Sequence, residues 1–133
     1  MEYRCKVEIV DNLFWVQFPD MPNVITYGFS HAHALEMAKE ALDGCLESDV
    51  SQGNAIPMPK YKKGYPIIVS PQIVLSLRLR ELRGKQSQTE VANKLGLSYQ
   101  AYQRLENPRK ANPTVKTLEK IAKVYGKKLQ IAL

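Results

Sequence analysis

The sequence predicts an α+β fold in which a small N-terminal β-sheet with one helix precedes a C-terminal all-α domain. Alternating apolar and polar residues near the start predict strands, whereas apolar residues after position 70 recur at helical spacing. The stretch between the two halves is rich in proline, which keeps it out of helix. The two domains are therefore predicted to span residues 1–69 and 70–133.

Three strands are predicted in the first thirty residues. The first strand places Tyr3, Cys5, Val7 and Ile9 on one face. Asp11-Asn12 suits a two-residue turn because both residue types tolerate positive φ. The second strand runs over 14–18 and is broken by 18–22, and the third covers 24–27. Trp15 lies on the face opposite Phe14, Val16 and Phe18, where it either covers the sheet or is exposed as an anchor for a partner.

A long helix is predicted to follow the third strand. Ser30 can cap its N-terminus, and the helix is expected to end near Ser48. A short strand at 66–69 can complete the sheet. Apolar residues at helical spacing are expected to pack on the sheet, namely Leu35, Ala38, Leu42, Cys45 and Leu46.

The second half contains a pattern typical of a helix-turn-helix. After a helix predicted over 71–83, Ser87 and Glu90 form a capping box that begins a second helix. Gly96 supplies the left-handed residue that ends it, and Ser98 caps the next helix. Two short helices joined around a glycine at a steep angle are the arrangement in which the second helix enters the DNA major groove.

Polar side chains are predicted to line the outward face of that second helix. Gln can bridge two atoms of adenine, and Arg can bridge two atoms of guanine. Gln88 is placed to hold a phosphate at the start of the preceding helix. The alternative is a five-helix bundle whose polar face is only hydrated. The predicted DNA-binding residues are Gln88, Ser98, Tyr99, Gln100, Gln103, Arg104, Asn107, Arg109 and Lys110.

Charge is divided between the same two halves. Residues 1–69 hold six Lys/Arg and nine Asp/Glu, a net charge of −3, and residues 70–133 hold thirteen Lys/Arg and four Asp/Glu, a net charge of +9. A basic excess confined to one small domain favours nucleic acid as its partner. The acidic half is expected to meet a partner of opposite charge.

Residues 87–126 resemble the Cro/C1-type (Xre) helix-turn-helix family. The matching residues are the stretches 87–92, 95–98 and 104–107, followed by Leu118-Glu119-Lys120-Ile121-Ala122-Lys123. Family members usually have glycine after the Leu-Glu-Asn, where this chain has Pro108. The resemblance implies a homodimeric repressor that reads a palindromic DNA operator.

Residues 14–59 resemble the N-terminal domain of HicB-type antitoxins. The match is carried by Phe18-Pro19-Asp20-Met21-Pro22, Thr26-Tyr27-Gly28, the stretch 34–42 and Ile56-Pro57-Met58-Pro59. The resemblance implies a partial RNase H-like fold that binds a HicA-like mRNA-cleaving toxin. Residues 1–59 carry a net charge of −6, which suits a basic toxin. The expected toxin-binding residues are Trp15, Asp20, Glu36, Glu40 and Asp43.

Catalytic chemistry is not predicted. His31 and His33 lie two positions apart at a helix start, so they point in different directions and are poor joint metal ligands. No set of acids matches a magnesium site, and no metal or cofactor is expected. Two alternatives remain: a stand-alone transcription regulator whose first domain senses a ligand, and an RNA-processing enzyme built on the RNase H-like domain.

The sequence also favours a cytoplasmic protein without a membrane partner. No apolar run approaches the roughly 20 residues that cross a bilayer, and the charged N-terminus lacks the apolar core of a secretion signal. Cys5 and Cys45 are expected to stay reduced. The terminal Leu129, Ile131 and Leu133 alternate, so this segment can pair as a strand with its twin or pack on the last helix.

Overall fold

The computed structural model describes residues 1–133, which form two compact units, 1–74 and 75–133. The α+β class is confirmed, with a sheet and one long helix in the first unit and a helical second unit. The strands are β1 (Glu2–Val10), β2 (Leu13–Phe18), β3 (Met21–Gly28) and β4 (Tyr65–Ile68). The helices are α1 (His31–Gln52), α2 (Pro71–Arg83), α3 (Gln88–Leu95), α4 (Tyr99–Leu105) and α5 (Val115–Val124).

The four strands form one antiparallel sheet in the order β3-β2-β1-β4. The predicted turn between β1 and β2 is confirmed, because Asp11 and Asn12 have φ values of 52° and 65°. The third strand begins at Met21, so the predicted break over 18–22 is too long. Pro22 is tolerated there because β3 is an edge strand, whose outer N–H groups have no partner to lose.

Helix α1 covers one face of the sheet. Ser30 caps it as predicted, with its Oγ accepting a hydrogen bond of 3.0 Å from the His33 N–H. The helix continues past Ser48 to Gln52 and ends at Gly53, whose φ is 73°. Its buried residues recur every four positions, so Leu35 and Cys45, predicted to be core, are only half-buried at the margin. The buried stripe is Ala34, Ala38, Leu42, Leu46 and Val50.

The proline-rich segment after α1 is held against the sheet by hydrogen bonds. The hydroxyl of Tyr3 donates to the carbonyl of Pro57 at 2.5 Å. The Asp20 carboxylate accepts from the backbone N–H groups of Lys60 and Tyr61 at 2.9 and 2.8 Å. These contacts return the chain to the sheet, where β4 pairs with β1 and confirms the predicted short strand.

The second unit packs four helices around one apolar core, rather than the five of the alternative bundle. Helix α2 has the predicted bounds. The terminal Leu129, Ile131 and Leu133 are exposed and form no strand within this chain. No helix of the protein has both the length and the apolar character needed to span a bilayer. The core residues are Leu79, Val91, Ala92, Leu95, Tyr102, Leu105 and Ile121.

Candidate nucleic-acid interface and partner-binding residues

Side-chain caps and a glycine fix the turn between α3 and α4. The Oγ of Ser87 accepts from the Glu90 N–H, and the Oγ of Ser98 accepts from the Ala101 N–H, both at 3.1 Å. Gly96 has φ 67°, and the following Leu97 N–H bonds back to the Ala92 carbonyl at 2.9 Å. The hydrogen bonds predicted from sequence therefore set where α4 begins.

Helix α4 is anchored by one side and exposed on the other. Tyr102 and Leu105 are buried in the core of the second unit. The predicted base-reading residues Tyr99, Gln100, Gln103 and Arg104 are all exposed. A seven-residue helix with this division presents amide, hydroxyl and guanidinium groups to solvent, while its core contacts keep it from rotating.

A buried ion pair connects α2 to the end of α4. Arg83 donates two hydrogen bonds to the Glu106 carboxylate, from Nε at 2.7 Å and from Nη2 at 3.0 Å. Only 2% of the Glu106 residue is exposed. Burial alone would raise the pKa of Glu106, but hydrogen bonds to its carboxylate, the strongest of them from Arg83, outweigh burial, so the pKa lies below its ordinary value. Sequence reasoning missed this pair, which fixes the C-terminal end of α4.

Gln88 is positioned by two neighbours. Its Nε2 donates to Glu106 at 3.3 Å, and its Oε1 accepts from the Tyr99 hydroxyl at 3.4 Å. The half-buried Gln88 therefore links the first residue of α3 to the exposed face of α4. This linkage brings a predicted phosphate contact and a predicted base contact together.

The loop after α4 is ordered by Asn107. Its side-chain Oδ1 accepts from the Arg109 N–H at 3.0 Å, and its carbonyl accepts from Lys110 and Ala111 at 3.0 and 2.9 Å. Pro108 is buried within this turn. The exposed Arg109 and Lys110 are thus held beside α4 by hydrogen bonds from their backbone N–H groups to Asn107, although proline replaces the glycine usual in the resembled family.

Two of the predicted toxin-binding acids have structural partners. Asp20 binds the segment at Lys60 and Tyr61, as described above. Asp43 accepts from the backbone N–H of Ser70 at 3.1 Å and from its hydroxyl at 2.5 Å, and it also pairs with Lys39 at 3.2 Å. Both carboxylates therefore contribute to the fold of the first unit, whatever else they bind.

The remaining predicted toxin-binding residues lie on two different surfaces. Glu36 and Glu40 are exposed on α1 and line a shallow groove of about 550 Å³ with Leu35, Lys39 and Asp43. Trp15 lies on the opposite face of the sheet, because its neighbour Val16 is fully buried on the helix side. The structure thus groups the helix residues and separates Trp15 from them.

The histidines have local partners. His33 Nδ1 accepts from the Phe29 N–H at 3.0 Å. The His31 ring lies 4.6 Å from the Tyr65 ring. The structure contains no group of three His, Cys, Asp or Glu side chains arranged to hold a metal ion.

Comparison with known proteins supports both parts of the sequence interpretation. Residues 78–131 match the family model described as Helix-turn-helix. Antitoxin HicB 1 of Photorhabdus laumondii is 29% identical over 138 aligned positions, which cover 100% of this chain and 87% of that protein. Antitoxin HicB of Escherichia coli K12 is 27% identical, with 90% of this chain and 89% of that protein covered. The predicted resemblance to antitoxins with a C-terminal helix-turn-helix is therefore confirmed.

Proposed function

We propose that this chain, which is similar to HicB antitoxins over its whole length and carries a helix-turn-helix domain, is an antitoxin that also represses its own operon. Its first unit would bind and neutralise a HicA-like mRNA-cleaving toxin. Its second unit would bind double-stranded operator DNA. No catalytic step is required of the chain in either role, and a cytoplasmic location follows from both partners.

The exposed polar face of α4 is the observation that carries the DNA-binding role. Gln100, Gln103 and Arg104 are the proposed base readers, with Tyr99 beside them. The proposed contacts to the DNA backbone are Gln88, Ser98, Asn107, Arg109 and Lys110. The +9 charge of residues 70–133 supports phosphate contacts and predicts strongly salt-dependent affinity.

DNA recognition by this domain implies a homodimer. One seven-residue recognition helix reads too few base pairs for useful specificity, so two copies on a palindromic site are needed. The exposed alternating residues Leu129 and Ile131 support a dimer contact through the C-terminal segment, because their apolar side chains have no cover within the chain.

Charge supports the toxin-binding role. Residues 1–59 hold nine acidic and three basic side chains. The proposed toxin is a ribonuclease, and a ribonuclease needs a basic surface to bind RNA. The acidic side chains of the antitoxin would then compete with RNA for the basic surface of the toxin. Trp15, Asp20, Glu36, Glu40 and Asp43 remain the proposed contact residues.

Co-expression with the product of the neighbouring gene tests this function. The proposal predicts that the product alone stops growth and degrades mRNA, that this chain restores growth, and that the two proteins purify as a complex. It also predicts that the complex binds a promoter fragment of its own operon. A harmless neighbouring product that does not bind this chain would contradict the antitoxin role and leave a stand-alone regulator.

A further inference from the structure

One face of the sheet is not covered by a helix and carries a row of aromatic and apolar side chains. Trp15 lies in the middle of this face, between Glu8 on β1 and Tyr27 on β3. The Trp15 and Tyr27 rings lie 5.0 Å apart. Ile25 is 59% exposed on the same face of β3, and 41% of Tyr27 is exposed. Half-exposed tryptophan and tyrosine in a group are typical of residues that dominate binding energy at protein interfaces.

A shallow cleft of about 370 Å³ opens at this row. Glu8, Asp11 and Trp15 line it, together with Val10, Leu13 and Gln17. Neither carboxylate forms an ion pair in the structure. The nearest lysine on the same face, Lys6, instead places its Nζ over the Tyr61 ring at 5.2 Å from the centroid. The cleft therefore combines an indole with two unpaired negative charges.

We propose that this cleft, defined by Glu8, Asp11 and Trp15, binds a lysine or arginine side chain of the toxin, an assignment that rests on the proposed function. A cation over an indole is attracted by the ring electrons, and a flanking carboxylate adds a charge-assisted hydrogen bond. Once the toxin covers the cleft, the apolar residues around it exclude water and strengthen both interactions.

The cleft suits a cationic partner better than the groove on α1 does. In that groove, Lys39 already neutralises part of the acidic charge, and Asp43 is occupied by Ser70. Nucleic acid is disfavoured at the cleft, since Glu8 and Asp11 repel phosphate. A second copy docked by two-fold symmetry would bring the same carboxylates together.

Trp15 is the only tryptophan in the chain, which makes the cleft directly observable. The full chain is labelled with 5-fluorotryptophan and titrated with the unlabelled toxin encoded beside it, while the ¹⁹F resonance is recorded. We expect the resonance to shift on complex formation. Parallel titrations measure the Kd for the toxin of two variants, Trp15→Ala and the double variant Glu8→Gln/Asp11→Asn. Asparagine suits position 11, because it tolerates the φ of 52° found there.

Both variants are expected to weaken toxin binding at least tenfold. The double variant is also expected to reduce the salt dependence of toxin binding. Glu90→Gln/Glu119→Gln, which removes the same charge from two exposed positions of the second unit, is the matched control and is expected to change the Kd for the toxin less than twofold. Circular dichroism melts establish that each variant is folded. An unmoved resonance, or cleft variants that bind as tightly as the wild-type chain, would overturn the cleft while leaving the antitoxin role intact.

Two further outcomes also decide the proposal. A resonance that moves with protein concentration in the absence of toxin would identify the face as an interface between copies of this chain and overturn the proposal. A wild-type chain that forms no complex at all would refute the antitoxin role, and the cleft assignment with it.

Discussion

The guanidinium of Arg83 and the carboxylate of Glu106 form a two-bond ion pair that joins α2 to the end of the recognition helix. The same carboxylate accepts a hydrogen bond from Gln88, at the start of α3. One buried carboxylate thus connects α2, the start of α3 and the end of α4. The Arg83–Glu106 ion pair therefore fixes the relative positions of α3 and α4 and also stabilises the domain.

Removing one partner of this pair should destabilise the second unit. Arg83→Met leaves the carboxylate of Glu106 buried without its main partner, and we expect a loss of about 3–5 kcal/mol in the free energy of unfolding. Urea denaturation measures the loss. The double variant Arg83→Met/Glu106→Leu removes both charges and should recover most of it. A double variant as unstable as Arg83→Met alone would contradict this explanation.

The lowered pKa of Glu106 predicts a pH dependence of stability. In the unfolded chain this carboxyl titrates near its ordinary value of 4.5, and in the folded protein it titrates lower. Its stabilising effect is therefore complete above pH 4.5 and is lost as the pH falls through the folded pKa. Urea unfolding at several pH values should show wild type and Glu106→Gln converging in stability as the pH falls. A gap that widens at low pH would refute the sign of the shift.

Two glycines with similar backbone angles should respond differently to alanine. Gly64 has φ 75° and Gly53 has φ 73°, so alanine at either position is strained by about 1–2 kcal/mol. A Cβ at position 64 would also collide with the Cys5 carbonyl oxygen, whereas nothing lies near position 53. Thermal melts should therefore show the greater loss for Gly64→Ala. Equal losses of thermal stability in the two variants would mean that the chain around position 64 moves away from β1 at no cost in free energy.

The C-terminal segment should carry part of the dimer contact. Ile131→Ser is expected to shift the monomer–dimer equilibrium toward monomer in sedimentation experiments, because it removes an exposed apolar side chain from the proposed contact. Ile68→Ser is the matched control, since Ile68 and Ile131 are 65% and 63% exposed. If Ile68→Ser disrupts the dimer and Ile131→Ser does not, the contact lies in the first unit.

Local signals explain why much of the fold was predictable. The turn at Asp11-Asn12, the cap at Ser30 and the glycine at position 96 each act on the few residues beside them. The sequence therefore shows where β1 and α3 end and where α1 begins, although it misplaces the start of β3 and the end of α1. The exposed face of α4 follows from the same local pattern, once Tyr102 and Leu105 are assigned to the core.

Contacts between distant residues could not be predicted in the same way. Glu40 and Asp43 are both acidic residues in the sequence of α1, yet only Asp43 accepts hydrogen bonds from Ser70. The reason is that the chain after β4 lies beside that turn of α1. Glu106 follows the recognition helix and gives no sign of its partner, since Arg83 lies 23 positions earlier. Such pairs depend on how helices and strands pack, which periodicity does not specify.

Binding of promoter DNA by Arg104→Ala shows whether the exposed face of α4 reads base pairs. Fluorescence anisotropy at one fixed salt concentration compares this variant with wild type and with Arg78→Ala, which removes an equal charge from the exposed surface of α2. We expect Arg104→Ala to lose about 1–3 kcal/mol of affinity and to discriminate less at one base pair, while Arg78→Ala keeps its selectivity. Wild-type affinity and selectivity in Arg104→Ala would contradict base reading by this face.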